Sequence, residues 1–290
     1  MKTTLEIIKK ATAGQNPILA FSGGSDSLVL LDILYSKTGH RPPLLFADSR
    51  MEYPETLPFV EETAKRYGAP LLVARATRSP IQQWELTGWP MLGKMAARVW
   101  MKNRKGRGFR LDVSSCCRNM KIKPARNLMK AEGYTVQFTG QRGGEDDALR
   151  GLRAMKDGAI YEVKADRITI ANPLTGWTDM MIRRYIQQNR LQQHPAKKLG
   201  AMTIGCMYCG GGAQFTNSGF KILRKTSPKE WHRLMVEWRA GEIVLAIKYD
   251  TSLNTMRLAL DRLGGLEALA RERPWVFDFL YKTPMQGYDK

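Results

Sequence analysis

The stretch Pro17-Ile18-Leu19-Ala20-Phe21-Ser22-Gly23-Gly24-Ser25-Asp26-Ser27-Leu28 decides how the rest of the chain is read. Pro17–Phe21 is a short apolar run of the length of a buried strand. Leu28–Tyr35 has a helical pattern. The hexapeptide Ser22–Ser27 must therefore turn the chain from strand to helix. Glycines let a turn bring backbone N–H groups close to an anion. The helix start adds unpaired donors and a partial positive charge. Three serine hydroxyls can donate as well. The same residue types also build ordinary strand–helix turns, so phosphate binding and a plain turn both stay open on these residues alone.

Working outward, strand and helix patterns alternate. Pro43–Ala47 and Pro70–Ala74 read as strands, with an amphipathic helix over Glu55–Tyr67 between them. Lys121–Glu132 reads as a helix and Thr135–Thr139 as a strand. Ala159–Val163 and Arg167–Ala171 read as a hairpin, and Thr178–Asn189 as a helix capped by Thr178. Alternation of this kind implies an α/β fold, a Rossmann-like parallel sheet with right-handed crossovers and helices on both faces. Trp84–Arg110 reads as a helix running into a basic loop. Pro228–Arg239 and Leu253–Arg262 read as helices, and the aromatic tail from Pro274 is expected to pack back onto the body. The expected division is a nucleotide-binding domain over 1–218 and a helical C-terminal extension over 219–290.

The 290 residues carry 46 Lys+Arg against 27 Asp+Glu, a formal net charge of +19. Such an excess points to a polyanionic partner, because clustered basic residues displace counterions from phosphates. The alternative is a basic surface kept for solubility. Basic residues are dense between Arg98 and Lys130, where Asp112 is the one acid. There, Trp100 and Phe109 are candidates for stacking on a splayed base. No apolar run reaches the length of a membrane span, and the first residues lack an apolar signal core. A cytoplasmic protein that does not bind membranes is expected.

In that compartment structural disulfides are rare, so the four cysteines need another reading. Cys116 and Cys117 are adjacent, and Cys206 and Cys209 form a C-x-x-C pair. Two pairs can complete a four-thiolate site suited to zinc or an iron–sulfur cluster; four buried free thiols are the plain alternative. His40, His194 and His232 read as surface or packing residues.

Two resemblances sharpen this reading. Ser22-Gly23-Gly24-Ser25-Asp26-Ser27 resembles the SGGxDS loop of the ATP-pyrophosphatase (PP-loop) superfamily, with its adenine nucleotide alpha hydrolase-like fold. Those enzymes split ATP between the α and β phosphates. The lysine of γ-phosphate-splitting loops is missing. The chain also resembles the phosphoadenylyl-sulfate and adenylyl-sulfate reductase family. Cys116-Cys117-Arg118-Asn119-Met120-Lys121-Ile122-Lys123-Pro124 is similar to its CC-x-x-R-K-x-x-P, with Met120 in place of arginine. Ile204-Gly205-Cys206-Met207-Tyr208-Cys209 is similar to IGC-x-P-C, with Tyr208 in place of proline. Thr139-Gly140-Gln141-Arg142 resembles TG-x-R, with Gly143 where a second arginine stands. Asn172-Pro173-Leu174 with Trp177-Thr178 resembles PL-x-x-W, and Glu52–Thr56 resembles the segment after the second strand.

The resemblance implies that Ser22, Gly23, Gly24, Ser25, Asp26 and Ser27 cradle the phosphates of ATP with Mg²⁺, Asp26 being a candidate outer ligand. Gly140 and Arg142 would border the nucleotide. Asp48 would contact ribose or adenine, or else cap a turn. Arg142 and Lys121 would stabilise negative charge. Cys116, Cys117, Cys206 and Cys209 would hold a [4Fe–4S] cluster. The reductases use one more cysteine in a C-terminal Glu-Cys-Gly-Leu-His segment, and here the last cysteine is Cys209. The expectation is therefore an ATP-dependent sulfur-transfer enzyme acting on DNA or RNA, closer to the phosphorothioation and thiolation members than to true reductases. A sulfur-donor protein such as a cysteine desulfurase would be its partner. A divergent reductase is the alternative, and a nucleic-acid-binding module on a retired nucleotide fold is a third reading.

Overall fold

The computed structural model describes residues 1–103, 106–143, 158–201, 204–210 and 219–278. Part of the basic loop (104–105), the segment 211–218 at the expected domain boundary and the tail from 279 onward lie outside the described residues. The chain divides into two compact units. The first comprises Met1–Asp48, Pro54–Ala76 and Lys121–Pro195; the second comprises Ser49–Tyr53, Thr77–Met120 and Ala196–Lys290.

The first unit is built on a sheet of six strands: β1 (Pro17–Ala20), β2 (Leu44–Asp48), β3 (Leu71–Arg75), β4 (Val136–Phe138), β5 (Ile160–Val163) and β6 (Ile168–Ala171). Their spatial order is β3-β2-β1-β4-β6-β5. All neighbours pair in parallel except the edge strand β5, which closes the expected hairpin with β6 antiparallel. From β1 the chain first builds outward to β2 and β3, then returns to place β4 on the other side. The carboxyl ends of β1 and β4 thus flank the point where strand order reverses, which is where open parallel sheets bind ligands.

The helix after β1 spans Ser25–Asp32 and continues as a wider π turn through Thr38, so it starts three residues earlier than its apolar pattern suggests. Ser27 through Asp32 are all buried, which suits a helix packed inside a doubly covered sheet. Leu19, Phe21, Leu28, Leu31, Phe46, Val60, Phe138 and Leu174 belong to one apolar core. Asp32 is buried within it and accepts hydrogen bonds from the hydroxyls of Tyr67 (2.9 Å), Tyr185 (2.7 Å) and Ser36 (3.1 Å). Burial, and then the bond to Asp32, push both tyrosine hydroxyls up from their ordinary range. The indole of Trp177 donates to Thr4 (2.9 Å), tying the N-terminal helix Lys2–Thr12 to the body. Thr178 caps the helix Asp179–Gln188 by accepting from the Met181 N–H, as its sequence signature predicts.

The second unit is helical. Pro80–Thr87 begins with a capping box between Ser79 and Gln82. Lys94–Asn103, Val113–Cys117, Gly219–Thr226, Pro228–His232, Ala240–Lys248, Leu253–Arg262 and Gly265–Glu272 follow. The stretch read as one helix over Pro228–Arg239 passes into a π turn over Arg233–Glu237. Ala240–Lys248 and Gly265–Glu272 had no clear sequence signal, and the first is buried along nearly its whole length. Among the described residues, no helix is long and apolar enough to cross a membrane.

Replacing Asp32 by alanine leaves two buried tyrosine hydroxyls without their acceptor. Urea unfolding should report a loss of about 1–3 kcal/mol with the far-UV spectrum unchanged.

Candidate functional site

The first unit presents the Ser/Gly loop at the carboxyl end of β1. Gly23 takes a φ of +77°, and Gly24 precedes the helix with no side-chain cap. The serines are knit together rather than splayed. Ser22 Oγ lies 3.2 Å from Ser27 Oγ and accepts from the Gly24 N–H at 3.3 Å, while Ser27 donates to the Gly24 carbonyl at 3.0 Å. Ser25 donates to Gln193 at 3.2 Å. The loop is thereby held at the start of a helix whose first-turn N–H groups have no intrahelical acceptor, and such helix starts receive anions.

Gly140, just past the end of β4, packs directly on this loop. A Cβ at that position would stand 2.9 Å from both the Asp26 carbonyl carbon and the Ser27 nitrogen. A side chain there has no room, which gives Gly140 a physical reason independent of any ligand.

Arg142 is buried, with 8% of its side chain exposed. Its Nε lies 3.1 Å from Asp26 Oδ1, its Nη2 2.6 Å from Asp179 Oδ1, and its Nη1 donates to the Trp177 carbonyl at 3.4 Å. Both aspartates sit in the first turn of a helix. The two residues singled out separately in the sequence, Asp26 and Arg142, are thus each other's partner. Asp179, which completes the group, carried no sequence signal of its role. Asp26, the candidate outer ligand of magnesium, is thus paired with Arg142. Asp48 ends β2 and accepts from Arg75 Nε, on the neighbouring strand, at 2.7 Å. His194 is buried, as a packing residue should be. It lies edge-on to Phe59 and 3.1 Å from Thr56 Oγ1. Lys121 is half-buried in the π turn Arg118–Ile122 that follows the first cysteine pair.

The second unit holds all four cysteines, and none is in a disulfide. Asp112 caps the short helix Val113–Cys117 by accepting from the Ser115 N–H at 2.9 Å. Burial acts to raise the Asp112 carboxyl, but hydrogen bonds from Ser115 and Ser114 outweigh it and hold it low. The loop after Gly88 joins the two cysteine segments. Trp89 pairs with Leu111 through backbone bonds on one side. On the other, the Pro90 carbonyl accepts from the Gly210 N–H at 2.8 Å and from Cys209 Sγ at 3.9 Å. A Cβ on Gly210 would stand 2.3 Å from the Met91 carbonyl oxygen, so the chain after Cys209 must lack a side chain there. Met207 N–H donates to Met51 at 2.7 Å, bringing Ser49–Tyr53 against the second pair. Ser49 Oγ lies 3.3 Å from Cys206 Sγ and donates to Glu52 at 2.6 Å.

Tyr208 is buried and its hydroxyl bonds to Glu230. A proline there would fix the turn by ring geometry, whereas the tyrosine anchors it to the helix Pro228–His232. Burial, then that hydrogen bond, push its hydroxyl up. Cys116 is buried, and burial drives its thiol far above the ordinary cysteine range. The Trp84 side chain acts against this, while the charges of Cys206, Cys117 and Cys209 add to it.

The donors fit an iron–sulfur cluster in kind: four soft thiols outside any disulfide, three of them close enough for their charge to act on Cys116. Among the described residues, no three His, Cys, Asp or Glu side chains form a closed metal-binding arrangement. Cys206 lies against Ser49 and Glu52, and Cys209 against the Pro90 carbonyl.

The stacking role expected of Trp100 does not hold. It is 3% exposed and its ring lies 4.9 Å from that of Phe109, which is itself half-buried. Arg98, Lys102, Arg110 and Arg118 are exposed.

The model of the phosphoadenosine phosphosulfate reductase domain matches residues 16–211. The chain belongs to that family. A phosphoadenosine 5'-phosphosulfate reductase of Alkalilimnicola ehrlichii is 26% identical over 190 residues, spanning 65% of this chain and 67% of its own. An adenosine 5'-phosphosulfate reductase of Shouchella clausii is 27% identical over 212 residues, spanning 72% of this chain and 77% of its own. The crystal structure of phosphoadenylyl-sulfate reductase from Candida auris, in a phosphate complex, superposes with a TM-score of 0.50 at 21% identity. It covers 70% of this chain and 87% of that one, and shows the shared Rossmann-like fold. Family membership indicates an enzyme.

Gly140→Ala should push the Ser/Gly loop off its seat. Amide resonances of Gly23–Ser27 should shift while those of β3 stay in place, with about 1–3 kcal/mol lost in chemical denaturation, the usual cost of overpacking.

Proposed function

We propose that this protein is an ATP pyrophosphatase that adenylates an oxygen of a nucleic acid and replaces it with sulfur, using an iron–sulfur cluster held by Cys116, Cys117, Cys206 and Cys209. One observation carries the reading. The four cysteines of these 290 residues all lie in one unit, with Cys116 feeling the charge of the other three. None of the four stands apart as the nucleophile that sulfonucleotide reduction requires.

The Ser22–Ser27 loop would receive the β and γ phosphates on its helix-start N–H groups. The acceptor oxygen attacks the α phosphorus, the α–β bridging bond breaks, and pyrophosphate leaves with that electron pair. The product is an adenylate whose AMP is a good leaving group. Sulfur then attacks at the activated centre and expels AMP. The chain's contribution is positioning and charge compensation. Arg142 is the buried cation at the loop, and binding a phosphate there must compete with Asp26 for its guanidinium. Asp48 and Gly140 lie at the same carboxyl end of the sheet, after β2 and β4. Lys121 would contribute a second positive charge, and Mg²⁺ would accompany the ATP phosphates. The cluster, once bound, would supply iron as a soft site for sulfur chemistry. The +19 charge and the exposed Arg98, Lys102, Arg110 and Arg118 support a polyanionic acceptor. A cysteine desulfurase would be the sulfur source in the cytoplasm: an external thiol reductant attacks its persulfide, takes the inner sulfur into a disulfide and releases hydrosulfide, which is the sulfur that attacks the activated centre.

The names of the curated relatives favour a second reading, a divergent sulfonucleotide reductase. One set of assays separates the two. Protein purified anaerobically should be brown and contain iron, and Cys206→Ala should lose at least ~10-fold in iron retention. Nucleic acid should stimulate pyrophosphate release from ATP, and Cys206→Ala should keep that release while losing sulfur insertion. Sulfite formed from adenylyl sulfate with thioredoxin would establish the reductase instead. A colourless, zinc-loaded protein would end the cluster reading.

A further inference from the structure

We propose that the indole N–H of Trp84 is a hydrogen-bond donor to the Cys116 sulfur and steadies that sulfur as a metal ligand. The inference deepens the reading of the cysteines as a ligand set. Trp84 is 1% exposed, and its Nε1 is buried without a hydrogen-bond partner of ordinary geometry. A donor sealed from water costs free energy unless something accepts from it. Cys116 is the neighbour on which this side chain acts as a donor. The two residues stand on helices packed against each other, Pro80–Thr87 and Val113–Cys117. In the neutral thiol the sulfur is a weak acceptor, so the contact falls short of a full bond. A metal-bound thiolate carries the charge that completes it.

Three further rings hold the indole in place. Trp89 lies 5.3 Å away and tilted, Trp238 5.7 Å and edge-on, and Tyr208 6.5 Å and edge-on. Tyr208 and Trp238 also meet each other at 5.1 Å. Tyr208 stands between Cys206 and Cys209, where the family pattern has proline, and Trp238 comes from the C-terminal region. Each therefore helps aim the indole. Indole suits the task because its N–H only donates. It cannot ligate iron or remove a proton, so it can brace a sulfur without competing for the metal. Hydrogen bonds to ligand sulfurs are a recognised means of tuning such sites.

The full-length protein, labelled with ¹⁵N at its tryptophans, tests the contact directly. The Trp84 Nε1–H signal is assigned by its loss in Trp84→Phe. It should move upfield in a folded Cys116→Ala protein, and an unmoved signal overturns the proposal. A second readout uses reconstituted protein with β-(3-benzothienyl)alanine at position 84, which keeps the ring shape and lacks the N–H. Iron loss to a chelator should be about 10-fold faster than in the parent, and equal rates overturn the ligand-steadying role. If the parent retains no iron, the cluster reading fails separately, and the indole signal still decides whether Trp84 and Cys116 are bonded.

Discussion

A buried guanidinium between two helix starts sets the terms for the first unit. Arg142 pairs with Asp26 and Asp179, each in the first turn of its helix. The carboxylates bring two negative charges and the arginine one positive. The two helix N-termini together contribute about one more positive charge. The group is thus close to neutral before any ligand arrives. A phosphate arriving here would add charge to a balanced set, so it would have to displace Asp26 from part of its ion pair with Arg142. The loop's geometry, the seat of Gly140 and the capping residue Thr178 all converge on this group.

What could be read in the sequence follows from how local each signal is. The Ser/Gly loop, the strand–helix alternation and the Thr178 cap depend on residues a few positions apart, and they stand where the pattern put them. The helix after the loop starts earlier than its apolar pattern because its first turn is made of Ser25, Asp26 and Ser27, polar residues that add nothing to an apolar pattern. Asp179 and Ser49 escaped notice because each meets its partner across a long stretch of chain. Ser49 and Cys206 are 157 residues apart, for example. Trp84 read as one tryptophan among seven, since nothing in the letters shows that its N–H has no oxygen or nitrogen to bond. Trp100 was misjudged for a related reason. A basic neighbourhood suggests an exposed aromatic, but tertiary packing against Phe109 buries it.

The departures from the family pattern around the second cysteine pair have a physical sense when taken together. A proline would stiffen the turn through its own ring. Tyr208 does so through a hydroxyl bonded to Glu230 and through contacts with Trp84 and Trp238. Glu230 is in turn paired with Arg233. The turn therefore draws its rigidity from the helical C-terminal region, which ties that region to the cysteine group in structure as well as in sequence.

The interleaving of the two units has a consequence in time. Neither unit is a continuous piece of chain, and the second gathers its cysteines from segments on either side of Lys121–Pro195. A ribosome adds about 5–20 residues per second. The second cysteine pair lies about 90 residues beyond the first, so it emerges roughly 5–18 seconds later. Through that interval Cys116 and Cys117 are synthesised thiols without their counterparts. Any oxidant or stray metal reaching them then acts on a half-made site.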